Sequence, residues 1–147
     1  MAITMHAHIV SAEGSIFDGT VEQVYAPGRM GELGIYPRHT QLLTQLKPGE
    51  VKLVIEEGKE QFFYVSGGIL EIQPHVVTIL ADTAMRAKDI DTAAAEEAIK
   101  RAEEVMEGSH QGEFDYARAQ IELAKAVAQL KTVEDLRRKM KGGRGRG

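Results

Sequence analysis

His6 and His8, two residues apart in "MHAHIV", fall on one face of a strand and could begin a metal site. A protein metal site needs three or four ligands. With no third ligand in reach and no cysteine in the chain, the pair reads as a polar strand face and no metal is expected. The stretch "GELGIYPRHTQLL", residues 31–43, sets Glu32 and His39 among two glycines, Tyr36-Pro37 and Arg38 before turning apolar. His39 could act as a pH-sensitive contact. General acid–base chemistry needs a nucleophile or a second acid beside it, however, so the loop reads as a surface. "GRMGELG" spaces its glycines as G-x-x-G-x-x-G with no helix signal behind, so they are turn positions and not a dinucleotide fingerprint. The chain carries no phosphate-binding loop, no H-E-x-x-H and no G-x-S-x-G elbow. A non-catalytic protein without a cofactor is expected.

The elements that must carry these residues divide into two parts. The 147 residues suit one compact domain, or one domain with an appendage, and 43% hydrophobic with 27% charged residues is ordinary globular composition. The absence of cysteine excludes disulfides and thiolate metal sites and fits a reducing compartment. The amino terminus lacks the pattern of a secretory signal, and no window approaches the roughly 20 apolar residues of a membrane span. No direct membrane insertion is expected.

Residues 1–86 read as a small all-β sandwich. The runs "HIVS", "TVEQVYA", "GIYP", "TQLLTQL", "VKLVIEE", "QFFYVSG", "GILEIQP" and "VVTILAD" are separated by turn signals at Asp18-Gly19, Pro27-Gly28, Pro48-Gly49 and Glu57-Gly58. Val51, Leu53 and Ile55 alternate with Lys52, Val54 and Glu56, which assigns the first three to one strand face.

Residues 87–147 read as an antiparallel helical hairpin, so the fold class is α+β by content, in two parts. Alanine and other strong helix formers dominate, Asp91 is the candidate N-cap, and "GSHQG", residues 108–112, has the composition of the connection. Ala95, Ala98, Ala102 and Val105 form one stripe; Tyr116, Ala119, Leu123, Ala126, Val127 and Leu130 form the other. A seam so rich in alanine buries little area, so the hairpin forms but can be opened. Beyond Leu130 the stripe continues through Glu134, Arg137 and Lys141 and ceases to be apolar. Residues 131–147 hold Lys131, Arg137, Arg138, Lys139, Lys141, Arg144 and Arg146 against Glu134 and Asp135, a net of +5 within a chain whose total is −4. Such an end wants an acidic partner. The Arg-Gly tail admits an alternative, a free-standing β-domain module binding RNA, but the chain shows no aromatic stacking platform and is acidic as a whole; no nucleic-acid partner is expected.

The order of parts then identifies a family. A β domain of about 85 residues with "GELGIYPRHTQLL" and "YVSGGILEIQPHVVTILADTA", followed by a hairpin containing "ELAKAVAQL", resembles the epsilon subunit of the bacterial rotary (F-type) ATP synthase. The resemblance covers nearly the whole chain. It implies a peripheral subunit at the cytoplasmic face of the bacterial inner membrane, in the central stalk. There it binds the gamma subunit and the c ring, turns with the rotor and helps couple proton flow to ATP synthesis. It also implies that the hairpin switches between a folded state and an extended state that inhibits ATP hydrolysis, with Lys131, Arg137, Arg138, Lys139 and Lys141 meeting acidic loops of the beta subunits. Carried over by motif, Glu32, His39 and Leu42 would face the c ring, and Ser11 and Ser109 would approach gamma. Some members bind ATP through [IL]-D-x-x-R-A; here Ile90 and Asp91 are present but Ala94 occupies the arginine position, so weak or absent ATP binding is expected.

Overall fold

Alternation of apolar and polar side chains lays down the strands. Val51 and Leu53 are fully buried while Lys52 and Val54, which alternate with them, are only half-covered, and Ile55 packs at the core's margin. The computed structural model of the chain describes residues 3–108 and 112–144. Its strands are β1 (Met5–Ser11), β2 (Gly14–Val21), β3 (Gln23–Gly28), β4 (Gly31–Ile35), β5 (Leu42–Leu46), β6 (Gly49–Val54), β7 (Glu60–Val65), β8 (Gly68–Ile72), β9 (Val76–Ala81) and β10 (Ala84–Arg86). They form a ten-stranded sheet in the order β10-β7-β6-β3-β5-β8-β9-β1-β2, with β4 attached to β3. β1 and β9 run parallel and the other pairs antiparallel. β3 meets β5 at Gly28 opposite Leu46, a thin junction where the path folds over. The resulting sandwich encloses a core that includes Ile9, Val24, Ile35, Phe63, Leu70 and Ile79.

Two features depart from the sequence-based expectation. Asp18-Gly19 is not a turn: both lie inside β2, with Gly19 opposite Ala7 and the Asp18 carboxylate bonded to the His6 ring. The run "TVEQVYA" divides instead at Glu22, where β2 gives way to β3. The other is β10, which carries no strand pattern of its own and is held by context. Ala84 is buried, the Arg86 guanidinium lies 5.5 Å from the Phe63 ring centre, and its Nη2 donates to the Ile16 carbonyl at 2.6 Å.

The helices are α1 (Thr92–Glu107) and α2 (Glu113–Arg144). Asp91 caps α1 as expected, its side chain accepting the Ala94 N–H at 3.1 Å, and the Gly108 N–H closes the last turn on Glu104 and Val105. The seam is narrower than its expected stripe. Ala95, Ala102, Ala119 and Ala126 are buried, but Tyr116 and Val127 are 44% and 49% exposed. Positions 119, 126 and 133 recur every seven residues and hold one line. Val127 is rotated by roughly 100° from Ala126, so a closely packed alanine line leaves it outside.

The buried line also does not stop at Leu130. Ala128, Thr132 and Val133 are buried because the second half of α2 lies on β6 and β7 instead of on α1. Ala128 and Val133 join Tyr64 and Ile90, with Met85 half-buried beside them, in a cluster separate from the sandwich core. Thr132 hides its hydroxyl by donating to the Ala128 carbonyl at 2.7 Å. At about 0.8 kcal/mol per buried methyl or methylene, this small cluster holds the helix far less firmly than the main core holds the sandwich.

Candidate functional site

Where the basic half of α2 crosses the sandwich, a groove of about 580 Å³ opens between them. β4, β6 and β7 contribute Glu32, Glu50, Lys52, Glu60 and Phe62; α2 contributes Lys131, Asp135, Arg138 and Lys139. The alternation of β6 puts Glu50 and Lys52 on the face opposite Val51 and Leu53, so the strand that builds the core also presents charge to the helix. Lys139 Nζ donates to Glu60 Oε1 at 3.0 Å, and Lys52 Nζ lies 3.9 Å from the other oxygen of Glu60. Arg138 binds within its own helix, to Glu134 at 2.9 Å and Asp135 at 3.7 Å. Among the described residues Arg137 and Lys141 make no ion pair, and both are exposed. In this conformation the acid that the basic end seeks is supplied partly by the chain's own Glu60.

Two further groups tie helix to sandwich. Tyr64 of β7 is buried, which pushes its phenol up to about 12, while a hydrogen bond from the Gln129 side chain on α2 works in the opposite direction. Burial likewise raises the Glu50 carboxyl to about 8; a hydrogen bond with the Asp135 carboxyl and its charge push the same way, and Lys131 and Lys52 oppose. Sequence reasoning missed Glu50, Glu60 and Asp135 as site residues. The signal for Glu50 and Glu60 lies in the outward alternation of β6 and β7, but nothing in it says that a helix carrying Asp135 covers that face.

The loop at residues 31–43 is a hairpin followed by a tight corner. Gly28 faces Gly31 across β3 and β4, and a β-carbon on Gly28 would come within 2.6 Å of the Gly31 carbonyl oxygen, so the close turn requires glycine there. Met30 stands 96% exposed at its tip and Glu32 is exposed on β4. Tyr36 donates to or accepts from Tyr25 through their hydroxyls at 3.0 Å. Arg38 adopts φ 67° and its N–H donates to the Pro74 carbonyl, which fixes the corner. His39 Nδ1 sits 2.6 Å from the Thr40 carbonyl. Glu32 and Leu42 line different hollows: Glu32 belongs to the groove beneath α2, whereas Leu42 borders a shallow depression with Leu43, Glu71 and Ile72. The outer sheet face beside that depression exposes apolar side chains, Leu43 70%, Ile69 44% and Leu80 50%, among the polar Gln45, Glu71 and Thr78.

Ser11 ends β1 and accepts the Glu13 N–H at 3.2 Å in the β1–β2 turn. Ser109 lies outside the described residues. Ile90 is buried against α2, Asp91 is occupied as the α1 cap, and Ala94 is exposed on the first turn. His6 is bonded to Asp18 and His8 to Ser15, and the described residues contain no group of three or more side chains able to hold a metal ion. No helix among them is long and apolar enough to cross a membrane.

Comparison with known proteins places this architecture. Residues 4–87 match the β-sandwich domain of the ATP synthase delta/epsilon chain, and residues 88–134 match its long α-helix domain. The ATP synthase epsilon chain of Nitrosococcus oceani is 63% identical over 140 residues, covering 95% of this chain and 99% of that one. The epsilon chain of Thioalkalivibrio sulfidiphilus is 56% identical over 94% of this chain and 98% of its own length. A chain in the mitochondrial ATP synthase of Euglena gracilis, solved as an OSCP/F1/c-ring assembly, has the same fold at TM-score 0.78 and 21% identity, covering 85% of this chain and 78% of that chain. With both halves matched and relatives of such identity spanning almost its entire length, the chain belongs to the family of F-type ATP synthase epsilon subunits.

Proposed function

We propose that this subunit is a non-catalytic part of the central stalk, linking gamma to the c ring of a proton-translocating ATP synthase, and that its helical hairpin is a movable inhibitor of ATP hydrolysis. The observation that carries the second half is the contrast between two apolar clusters. The sandwich core is large and self-contained, whereas α2 is held by Tyr64, Ile90, Ala128 and Val133, an alanine seam and half-exposed ion pairs. A helix attached this thinly can leave without unfolding what it leaves. Once free, Lys131, Arg137, Arg138, Lys139 and Lys141 form a basic helix end suited to acidic loops of the beta subunits.

The rotor role rests on family membership and on the surfaces left open. Leu43, Ile69 and Leu80 expose apolar area on the outer sheet face of the kind a lasting subunit contact covers. Glu32, His39 and Leu42 are proposed to face the c ring, and Ser11 and Ser109 to approach gamma. The subunit then sits peripherally on the cytoplasmic side of the membrane.

The test is truncation after Asp89 in the assembled complex. That cut keeps β10 and the buried Ala87 while removing Ile90 and both helices. Assembly should persist and ATP hydrolysis should rise; unchanged hydrolysis would sink the inhibitory role.

A further inference from the structure

The groove between β6 and α2 brings two carboxyl groups together, Glu50 from the strand and Asp135 from the helix, with Arg138 3.7 Å from Asp135. Glu50 and Asp135 are within hydrogen-bonding reach, and Glu50 Oε1 is fully buried with no hydrogen-bond partner among the described residues. Two ionised carboxylates so placed repel, and an ionised oxygen without a donor is among the costliest groups to bury. A single proton removes both problems. It makes Glu50 a donor to Asp135 and leaves its unpartnered oxygen a neutral carbonyl.

We propose that the Glu50–Asp135 pair is a proton-operated latch: with one proton shared between them α2 stays on the sandwich, and loss of that proton loosens the helix. This deepens the reading of the hairpin as a movable element. The latch joins the two elements whose separation that movement requires, because Glu50 is on β6 and Asp135 on α2. The charged groups facing the pair are Lys52 from β6, Glu60 from β7, Glu32 from β4, and Lys131, Arg138 and Lys139 from α2. Lys139 is engaged by Glu60, and Arg138 by Glu134 at 2.9 Å and by Asp135 at 3.7 Å, which favours Asp135 as the ionised member and Glu50 as the one that carries the proton. Lys131 and Lys52 act on Glu50 without outweighing burial and Asp135.

The direction follows from linkage. Docked, the Glu50 carboxyl is raised to about 8; undocked in water it returns to the ordinary carboxylate range. Docking therefore takes up a proton between those limits. The latch contributes fully at pH below the ordinary carboxyl value, weakens as pH rises, and is lost as pH passes through about 8. One proton sets a ceiling of about tenfold per pH unit in the opening constant, and solvent at the exposed side of Glu50 narrows the pH range over which that slope holds.

The full chain has no cysteine, so a single introduced thiol reports opening cleanly. Ala128→Cys places it in the buried cluster between α2 and the sandwich, and Ala124→Cys on the exposed side of the same helix serves as the control. The ratio of their labelling rates with dithiodipyridine gives the opening constant even when the open state is rare. It should rise several-fold per pH unit from about pH 5.5 to 8 and then level off. Glu50→Gln, which donates permanently, should stay docked and flatten the profile; Asp135→Asn, which donates to an ionised Glu50, should flatten it as well. A flat ratio in the parent, or an undiminished slope in both variants, would overturn the latch. Because docking is read in the chain alone, that failure is distinct from an unchanged ATP hydrolysis after truncation.

Discussion

Lys139, near the end of α2, reaches back to Glu60 at the start of β7 with its Nζ 3.0 Å from Oε1, spanning 79 residues of sequence. The bond ties the proposed inhibitory end of the helix to the sandwich. Both side chains are partly solvated, so the pair contributes at most about 1 kcal/mol. Reversing one charge does more than deleting it, because Glu60→Lys sets like charges against Lys139 and Lys52. That variant should raise the open fraction of the hairpin by up to about tenfold, and Lys139→Glu added to it should restore much of the docking. Thiol accessibility at Ala128→Cys measures both, and equal accessibility in parent and Glu60→Lys would remove the pair from the docking interface.

Val133 offers a sharper cut. It lies in the small cluster with Tyr64, Ile90 and Ala128, which is separate from the sandwich core. Val133→Asp would bury an unpaired carboxylate, at a cost of several kcal/mol that undocking avoids. The sandwich should keep its thermal transition while the hairpin becomes protease-sensitive. Loss of the sandwich transition would mean that the two clusters stabilise one cooperative unit.

The pattern of what was legible has a physical cause. The core strands were readable because each side chain's place depends only on its parity, as at Val51 and Leu53. β10 was not, because Ala84–Arg86 is a strand only through its pairing to β7 and the reach of Arg86 to Ile16. The hairpin was readable from composition, yet its periodicity failed at Val127 and beyond Leu130. There α2 changes partner from α1 to the sandwich, and a change of partner leaves no fixed period. Glu50 was invisible for the same reason: on an uncovered β6 it would be an ordinary solvated acid, and only the docked helix makes it unusual.

The start of α1 carries a prediction about nucleotide. Asp91 is already used, its side chain accepting the Ala94 N–H, and Ala94 supplies no guanidinium for a phosphate. Calorimetric titration of the purified chain with ATP should show no saturable binding at micromolar concentration. Asp91→Ala should cost the hairpin about 1 kcal/mol through the lost cap and leave the ATP titration unchanged. Micromolar binding by the parent would show that other side chains replace the missing arginine.

Glu32 carries the most composite prediction, because it stands at the edge of two proposed surfaces. It is exposed on β4, so Glu32→Lys should alter sandwich stability by no more than about 0.5 kcal/mol. It also lines the groove that holds Lys52, Arg138 and Lys139, so the same reversal puts a cation among cations and favours release of α2. Two effects in the assembled enzyme are expected: weaker coupling of ATP hydrolysis to proton pumping, through the c-ring contact, and stronger inhibition, through the freed hairpin. Truncation after Asp89 separates them, since it abolishes the second and leaves the first. If Glu32→Lys in the truncated background pumps protons as well as its parent, Glu32 belongs to the groove alone and the c-ring contact must be sought elsewhere on the sandwich.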